Sequence, residues 1–120
     1  MIKDHGKNYS DLEKLIRQIN KEIPLEMKGF NELHKAVIAE GALTVKTKEL
    51  MALGIAITVR CDGCIDYHIK NSLNAGASSS EILETIGVAM LMGGDPALIY
   101  GCEALEALNQ FIVLEKNGQQ

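Results

Sequence analysis

Tryptophan is absent from this chain, and its aromatic complement is three tyrosines and two phenylalanines in 120 residues. An interior without large rings must be filled by small and medium aliphatics, which suits close helix packing better than a β-sandwich. Proline is almost missing as well: Pro24 and Pro96 are the two, each placed where a helical pattern begins. Three cysteines are an odd count and too few for a secreted disulfide framework. No basic cluster stands out, and a net charge of −4 with interspersed signs excludes a nucleic-acid surface. No apolar run reaches the roughly 18 to 20 residues that span a bilayer, and the polar opening at 1–7 lacks the apolar core of a secretory signal. A soluble cytoplasmic protein with no membrane or nucleic-acid partner is the expectation. Internal repeats and low-complexity segments are missing too.

What is there is a succession of helical stripes in one domain of common size, residues 1–120. Residues 1–9 read as a polar lead-in, after which Ser10 can cap a helix carrying Leu12, Leu15, Ile16, Ile19 and Ile23. Pro24 opens a second segment with Met27, Phe30, Leu33, Val37 and Ile38, and Gly41 stops it. Core packing is expected for these apolar residues, and the surface for His34. Thr44 can cap a third helix through Lys46, Glu49, Leu50, Leu53, Ile57 and Val59, so apolar from Leu50 onward that burial all round is expected. The β-branched residues at 55–59 make a strand the competing reading there. A fourth helix starts at Cys61 or Asp62, turns Cys64, Ile65, His68, Ile69 and Leu73 inward, and ends at Gly76. Ser78 and Glu81 form a capping box for a fifth, which carries Ile82, Leu83, Ile86, Ala89 and Met90 as far as Gly93-Gly94. Asp95 as cap and Pro96 as first helical residue open a sixth, with Leu98, Cys102, Leu105, Leu108 and Ile112 on its stripe. Cys102 is expected to be a buried structural thiol. The whole predicts an all-α domain of about six antiparallel helices, with more apolar surface than one core covers and therefore self-association.

One stretch carries chemistry: Arg60-Cys61-Asp62-Gly63-Cys64-Ile65-Asp66-Tyr67-His68. Cys61, Cys64 and His68 stand at i, i+3 and i+7, along one face of a helix. A helix start favours thiolate, and thiols in such a pair are often shifted below the free value of about 8.5. Glu49 lies on the preceding helix. If the chain reverses near Val59, a rise of about 1.5 Å per residue puts Glu49 and His68 level to within about one turn. A carboxylate facing an imidazole orients it and raises its basicity, which gives a relay from Glu49 through His68 to a cysteine. Asp66 and Tyr67 are expected to serve packing or solvation.

The pattern of Glu49, eleven residues, Cys61-x-x-Cys64, three residues and His68 resembles the signature of the alkylhydroperoxidase D and carboxymuconolactone decarboxylase-like superfamily. Leu43-Thr44, Lys48-Glu49-Leu50, Cys64-Ile65-Asp66-Tyr67-His68, Gly76-Ala77 and Ser80-Glu81-Ile82 extend the likeness over roughly residues 40–95. The resemblance implies an alkylhydroperoxidase D-like helical fold assembled into homo-oligomers, often trimers or hexamers, with no cofactor. It implies that the cysteine matching Cys64 attacks peroxide to give a sulfenic acid, that the one matching Cys61 resolves it as a disulfide, and that Glu49 and His68 relay the proton. The implied reductant is a thiol protein or a lipoamide-type dithiol. Members with peroxidase activity have a histidine just before the second cysteine, where this chain has Gly63; thiol–disulfide chemistry stays available without it. The decarboxylase branch acts on a lactone of aromatic catabolism and does not rely on a CxxC pair, so the presence of both cysteines favours the redox branch.

The leading expectation is an oxidoreductase, a thiol-dependent reductase of peroxide or disulfide substrates, with Cys61, Cys64, His68 and Glu49 as catalytic residues and no metal. Other readings stay open beside it: a decarboxylase-type enzyme, a zinc module on Cys61, Cys64, His68 and Glu49, and a helical assembly protein that only senses redox state. Structural zinc sites usually draw a second pair of ligands from a distant loop, and the sequence offers none.

Overall fold

The computed structural model describes residues 3–118; Met1, Ile2, Gln119 and Gln120, at the ends of the predicted lead-in and tail, lie outside the described residues. Six helices follow in order: α1 (His5–Glu22), α2 (Pro24–Ile38), α3 (Val45–Thr58), α4 (Asp62–Asn74), α5 (Ser79–Gly93) and α6 (Asp95–Lys116), with no strand among the described residues. Residues 55–58, where a strand competed, belong to α3.

The helix boundaries follow local chemistry. Ser78 Oγ accepts from the Glu81 N–H at 3.1 Å and Glu81 Oε1 accepts from the Ser78 N–H at 2.9 Å, the reciprocal cap that the sequence predicts. Thr44 accepts from the Thr47 N–H at 3.1 Å and starts α3. Two starts differ from expectation. Asp4, not Ser10, caps α1 by accepting from the Lys7 N–H at 3.0 Å, so most of the polar lead-in is helix. Gly94 serves both as the last cap of α5 and the first of α6, which leaves Asp95 inside the helix as a first-turn acid rather than as the cap. α2 stops at Ile38, ahead of Gly41, where Ala39 turns extended, and Lys48 Nζ satisfies the carbonyls of Val37 at 2.8 Å and Ala39 at 2.6 Å.

The core lies between α3, α4, α5 and α6: Leu53, Ile57, Ile65, Ile69, Ile82, Leu108 and Phe111 are its large members, with alanines between them. On α6 the inward stripe is Ala97, Gly101, Ala104, Ala107, Leu108 and Phe111, about one residue out of phase with the large apolar residues. Close approach sets that phase, since a Cβ on Gly101 would stand 2.9 Å from Ile86 Cγ2 of α5. Cys102 is consequently exposed, not the buried thiol expected of it. Among the described residues α6 is long and apolar enough to cross a bilayer, yet its small-residue stripe is packed and its Glu103 and Glu106 pair with the N-terminal segment.

Two expectations of burial fail in the single chain. α3 hides only Glu49, Leu53, Ala56 and Ile57, leaving Met51, Ile55 and Val59 exposed. α2 buries nothing, and Leu15, Ile19, Ile23, Phe30, Leu33 and Val37 of the α1–α2 pair stay exposed. Their helical spacing is real, but nothing among the described residues covers them. His34 is exposed, as expected.

Candidate active site

The turn from α3 into α4 builds the site. Helix α3 ends in a Schellman arrangement: the Arg60 N–H bonds the Ile57 carbonyl at 3.2 Å and the Cys61 N–H bonds the Ala56 carbonyl at 3.0 Å. The residue just past the C-cap Val59 takes a left-handed conformation in this motif, and here it is Arg60, with φ of 60°. This reversal delivers Cys61 to the N-cap of α4 and lays α4 back along α3.

Cys61 and Cys64 are joined as a disulfide with Cα atoms 5.2 Å apart, within the usual range. Cys64 is exposed and Cys61 is half-buried. This corrects the inward position expected of Cys64. The buried stripe of α4 is Ile65, Asp66, Ile69 and Ser72, which leaves Cys64 on the solvent side of it. His68 follows one turn after Cys64, a spacing that brings Cβ atoms to about 5–6 Å on a helix surface. Its Nδ1 lies 2.8 Å from Oε1 of Glu49, which is 4% exposed on α3 beside the core. A buried carboxylate thus holds the partly exposed imidazole in one orientation through Nδ1. All four expected residues, Glu49, Cys61, Cys64 and His68, stand at the α3–α4 hairpin.

Gly63 faces elsewhere. A Cβ there would stand 2.9 Å from Leu12 Cδ2 of α1, so a side chain at this position would point toward α1. Tyr67 packs with its ring centroid 5.2 Å from that of Tyr9, and Tyr9 in turn meets Phe111 edge-on at 6.1 Å. Burial, with Glu13 adding to it, pushes the Tyr9 phenol up to about 12, so Tyr9 acts here as a neutral packing ring.

Asp66 departs from the packing-or-solvation role expected for it. It is buried, and its Oδ1 lies 2.5 Å from Nδ1 of His5, whose Nε2 lies 2.8 Å from Oε1 of Glu106. Burial raises the Asp66 carboxyl above its ordinary range, with the His5 contact pulling it back. Sequence reasoning missed His5, Lys3 and Glu106 altogether. The available signal was Asp4 as a helix cap, which would have put His5 on a helix rather than in a lead-in. Among the described residues no group of three or more His, Cys, Asp or Glu converges as a metal site, and the disulfide occupies both thiols that a zinc module would need.

Comparison with known proteins places this hairpin in a wider set. The model of the carboxymuconolactone decarboxylase family matches residues 24–107, which span the whole site. An uncharacterised protein from Cupriavidus necator is 30% identical and is matched over 83% of this chain and 97% of its own length. An uncharacterised protein of the cox locus of Paracoccus denitrificans is 37% identical over 82 residues, 68% of this chain and 74% of that one. The apo crystal structure of a carboxymuconolactone decarboxylase family protein from Legionella pneumophila superposes with a TM-score of 0.86 at 40% identity, covering 89% of this chain and 96% of the other. A family protein from Thermotoga maritima superposes with a TM-score of 0.85 at 34% identity, over 93% and 96% of the two chains. A family model that runs from the start of α2 into α6, with solved relatives that superpose over nearly the whole chain, leads to one conclusion: the chain belongs to the carboxymuconolactone decarboxylase family.

Proposed function

We propose that the protein is a thiol–disulfide oxidoreductase that reduces a peroxide or a small disulfide at Cys64 and cycles through the Cys61–Cys64 disulfide. The observation that carries this reading is the disulfide at the start of α4 with His68 one turn away and tied to buried Glu49 at 2.8 Å. Decarboxylation would leave the cysteine pair idle. The Thermotoga relative is described as a candidate in the antioxidative response, which supports the same direction.

The steps follow from position. Exposed Cys64 meets the substrate, and His68, oriented by Glu49, takes the thiol proton. The thiolate attacks a hydroperoxide oxygen; an S–O bond forms, the O–O bond breaks, and the alkoxide leaves as an alcohol with the proton. The Cys61 thiol then attacks the sulfenic sulfur, an S–S bond forms and water leaves. A dithiol reductant, a thiol protein or a lipoamide-type group, returns two electrons and two protons. With a disulfide substrate the same thiolate attacks sulfur and Cys61 releases the mixed disulfide. Cys61→Ser and Cys64→Ser are each expected to abolish turnover of hydroperoxide or disulfide in stopped-flow assays. Unchanged turnover in both variants would sink the proposal.

The working unit in this reading is a homo-oligomer, a trimer or hexamer. Its support is the exposed apolar face of α1–α2 together with an apolar groove of about 540 Å³ between α3 and α5, lined by Leu50, Met51, Ile55, Val88 and Met92.

A further inference from the structure

A second cluster of titratable groups occupies the side of α4 turned away from Cys64 and His68. Its centre is His5, fully buried, between Asp66 of α4 at 2.5 Å and Glu106 of α6 at 2.8 Å. Two ring nitrogens facing two carboxyl oxygens require two protons among three groups: an imidazolium between carboxylates, or a neutral ring beside one carboxylic acid. In either form the ring ties α1 to both α4 and α6. The backbone adds to this. The His5 N–H donates to Gln110 Oε1 at 2.8 Å, and Gln110 Nε2 donates to the Lys3 carbonyl at 2.7 Å. Lys3, held at that point, sets its ammonium 3.0 Å from Asp62, the residue after Cys61, and also against Glu103 of α6. Leu12 closes the same side over Gly63, beside a cavity of about 330 Å³ that Lys3, His5, Asp62 and Asp66 help to line.

We propose that residues 3–12 are a positioning element of the Cys61–Cys64 couple: His5 locks the segment onto α4 and α6, and the Lys3 ammonium it delivers to Asp62 favours the reduced form. This rests on the thiol–disulfide reading above. Asp62 lies within the cysteine loop, and an uncompensated carboxylate there opposes the thiolate that reduction produces. A cation on it removes that opposition, and a couple whose reduced form is stabilised is the more oxidising one.

The test is the position of the couple in glutathione buffers, read on the full chain by thiol alkylation and intact mass. In the oxidising direction Cys61 and Cys64 give up two electrons and two protons as their S–S bond forms, and one glutathione disulfide is cleaved to two glutathione thiols. Lys3→Met is expected to lower the equilibrium constant for reduction about threefold, about 14 mV for a two-electron couple. Lys3→Arg is expected to restore the wild-type midpoint, and His5→Gln to shift it in the same direction as Lys3→Met. An unchanged midpoint in Lys3→Met, or a Lys3→Arg midpoint displaced as far as that of Lys3→Met, overturns the proposal. The Lys3 side chain is 29% exposed, so these two variants decide the matter even if His5→Gln fails to fold. A folded His5→Gln protein with the wild-type midpoint overturns the lock. A wild-type pair that never exchanges with glutathione removes the thiol–disulfide reading and this inference with it, and the wild-type titration alone tells the two failures apart.

Discussion

A histidine with one nitrogen held by a buried carboxylate is an oriented base, and His68 meets that description through Glu49. Under the proposed function, His68→Ala is expected to lower kcat/KM for hydroperoxide about a hundredfold, the low end of what a positioned base contributes. Glu49→Gln keeps the hydrogen bond and loses the charge, so a smaller fall of about tenfold is expected. Equal rates for wild type and His68→Ala would remove the relay. Asp66 makes a prediction of a different kind. Its carboxyl is raised by burial. A group raised in the fold contributes stability that is full below the ordinary carboxylate value of about 4 and is lost as pH rises through the folded value. Asp66→Asn carries no charge at any pH. Its Tm relative to wild type is therefore expected to improve as pH rises above the ordinary carboxylate value of about 4, checked by thermal melts; a constant difference on going from acid to neutral pH would contradict the burial cost.

At the scale of elements, the turn that carries the site is built on a residue that does not suit it. Arg60 occupies the left-handed position of the α3 cap, where α4 uses Gly76, with φ of 93°. A side chain in that conformation costs roughly 1–2 kcal/mol, and a glycine there pays instead in chain entropy. Arg60→Gly is expected to stabilise the fold by about 0.5–1 kcal/mol, read as a rise in the urea midpoint at constant slope. A lower midpoint would mean that the guanidinium makes an interaction worth more than the strain. The capping box at Ser78 and Glu81 is the opposite case, a local rule followed in full.

For the whole molecule, the outstanding physical fact is uncovered apolar surface. Leu25, Phe30, Leu33, Val37, Leu91 and Met92 are all exposed, on α2 and α5. Under the proposed assembly, these faces are the surfaces that neighbouring copies would cover. Light scattering after gel filtration is expected to return several times the mass of one chain, a trimer or hexamer. Leu33→Lys and Phe30→Lys are expected to shift it toward the monomer. A wild-type monomer at micromolar concentration would contradict the assembly.

Much of this was legible in the sequence because the signals involved act within a turn or two. Helical periodicity, Pro24, Thr44 and the Ser78–Glu81 pair located most elements, and the spacing of Glu49, Cys61, Cys64 and His68 located the hairpin site, since a short reversal leaves two adjoining helices little freedom of register. Other features depended on contacts that no local rule sees. The lining of α6 was decided by which residues let α5 approach, so Gly101 and the alanines faced in and Cys102 faced out. The apolar stripes of α1 and α2 announced burial, but only the packed chain revealed that nothing among the described residues covers them. The link from His5 to Asp66 and Glu106 spans 61 and 101 positions of chain. By itself the sequence determined the helices and several of their caps, and set Glu49, Cys61, Cys64 and His68 along one hairpin, through interactions between near neighbours. Only the tertiary structure decided which faces were buried and brought a lead-in histidine between two distant carboxyl groups, because both depend on how whole helices pack.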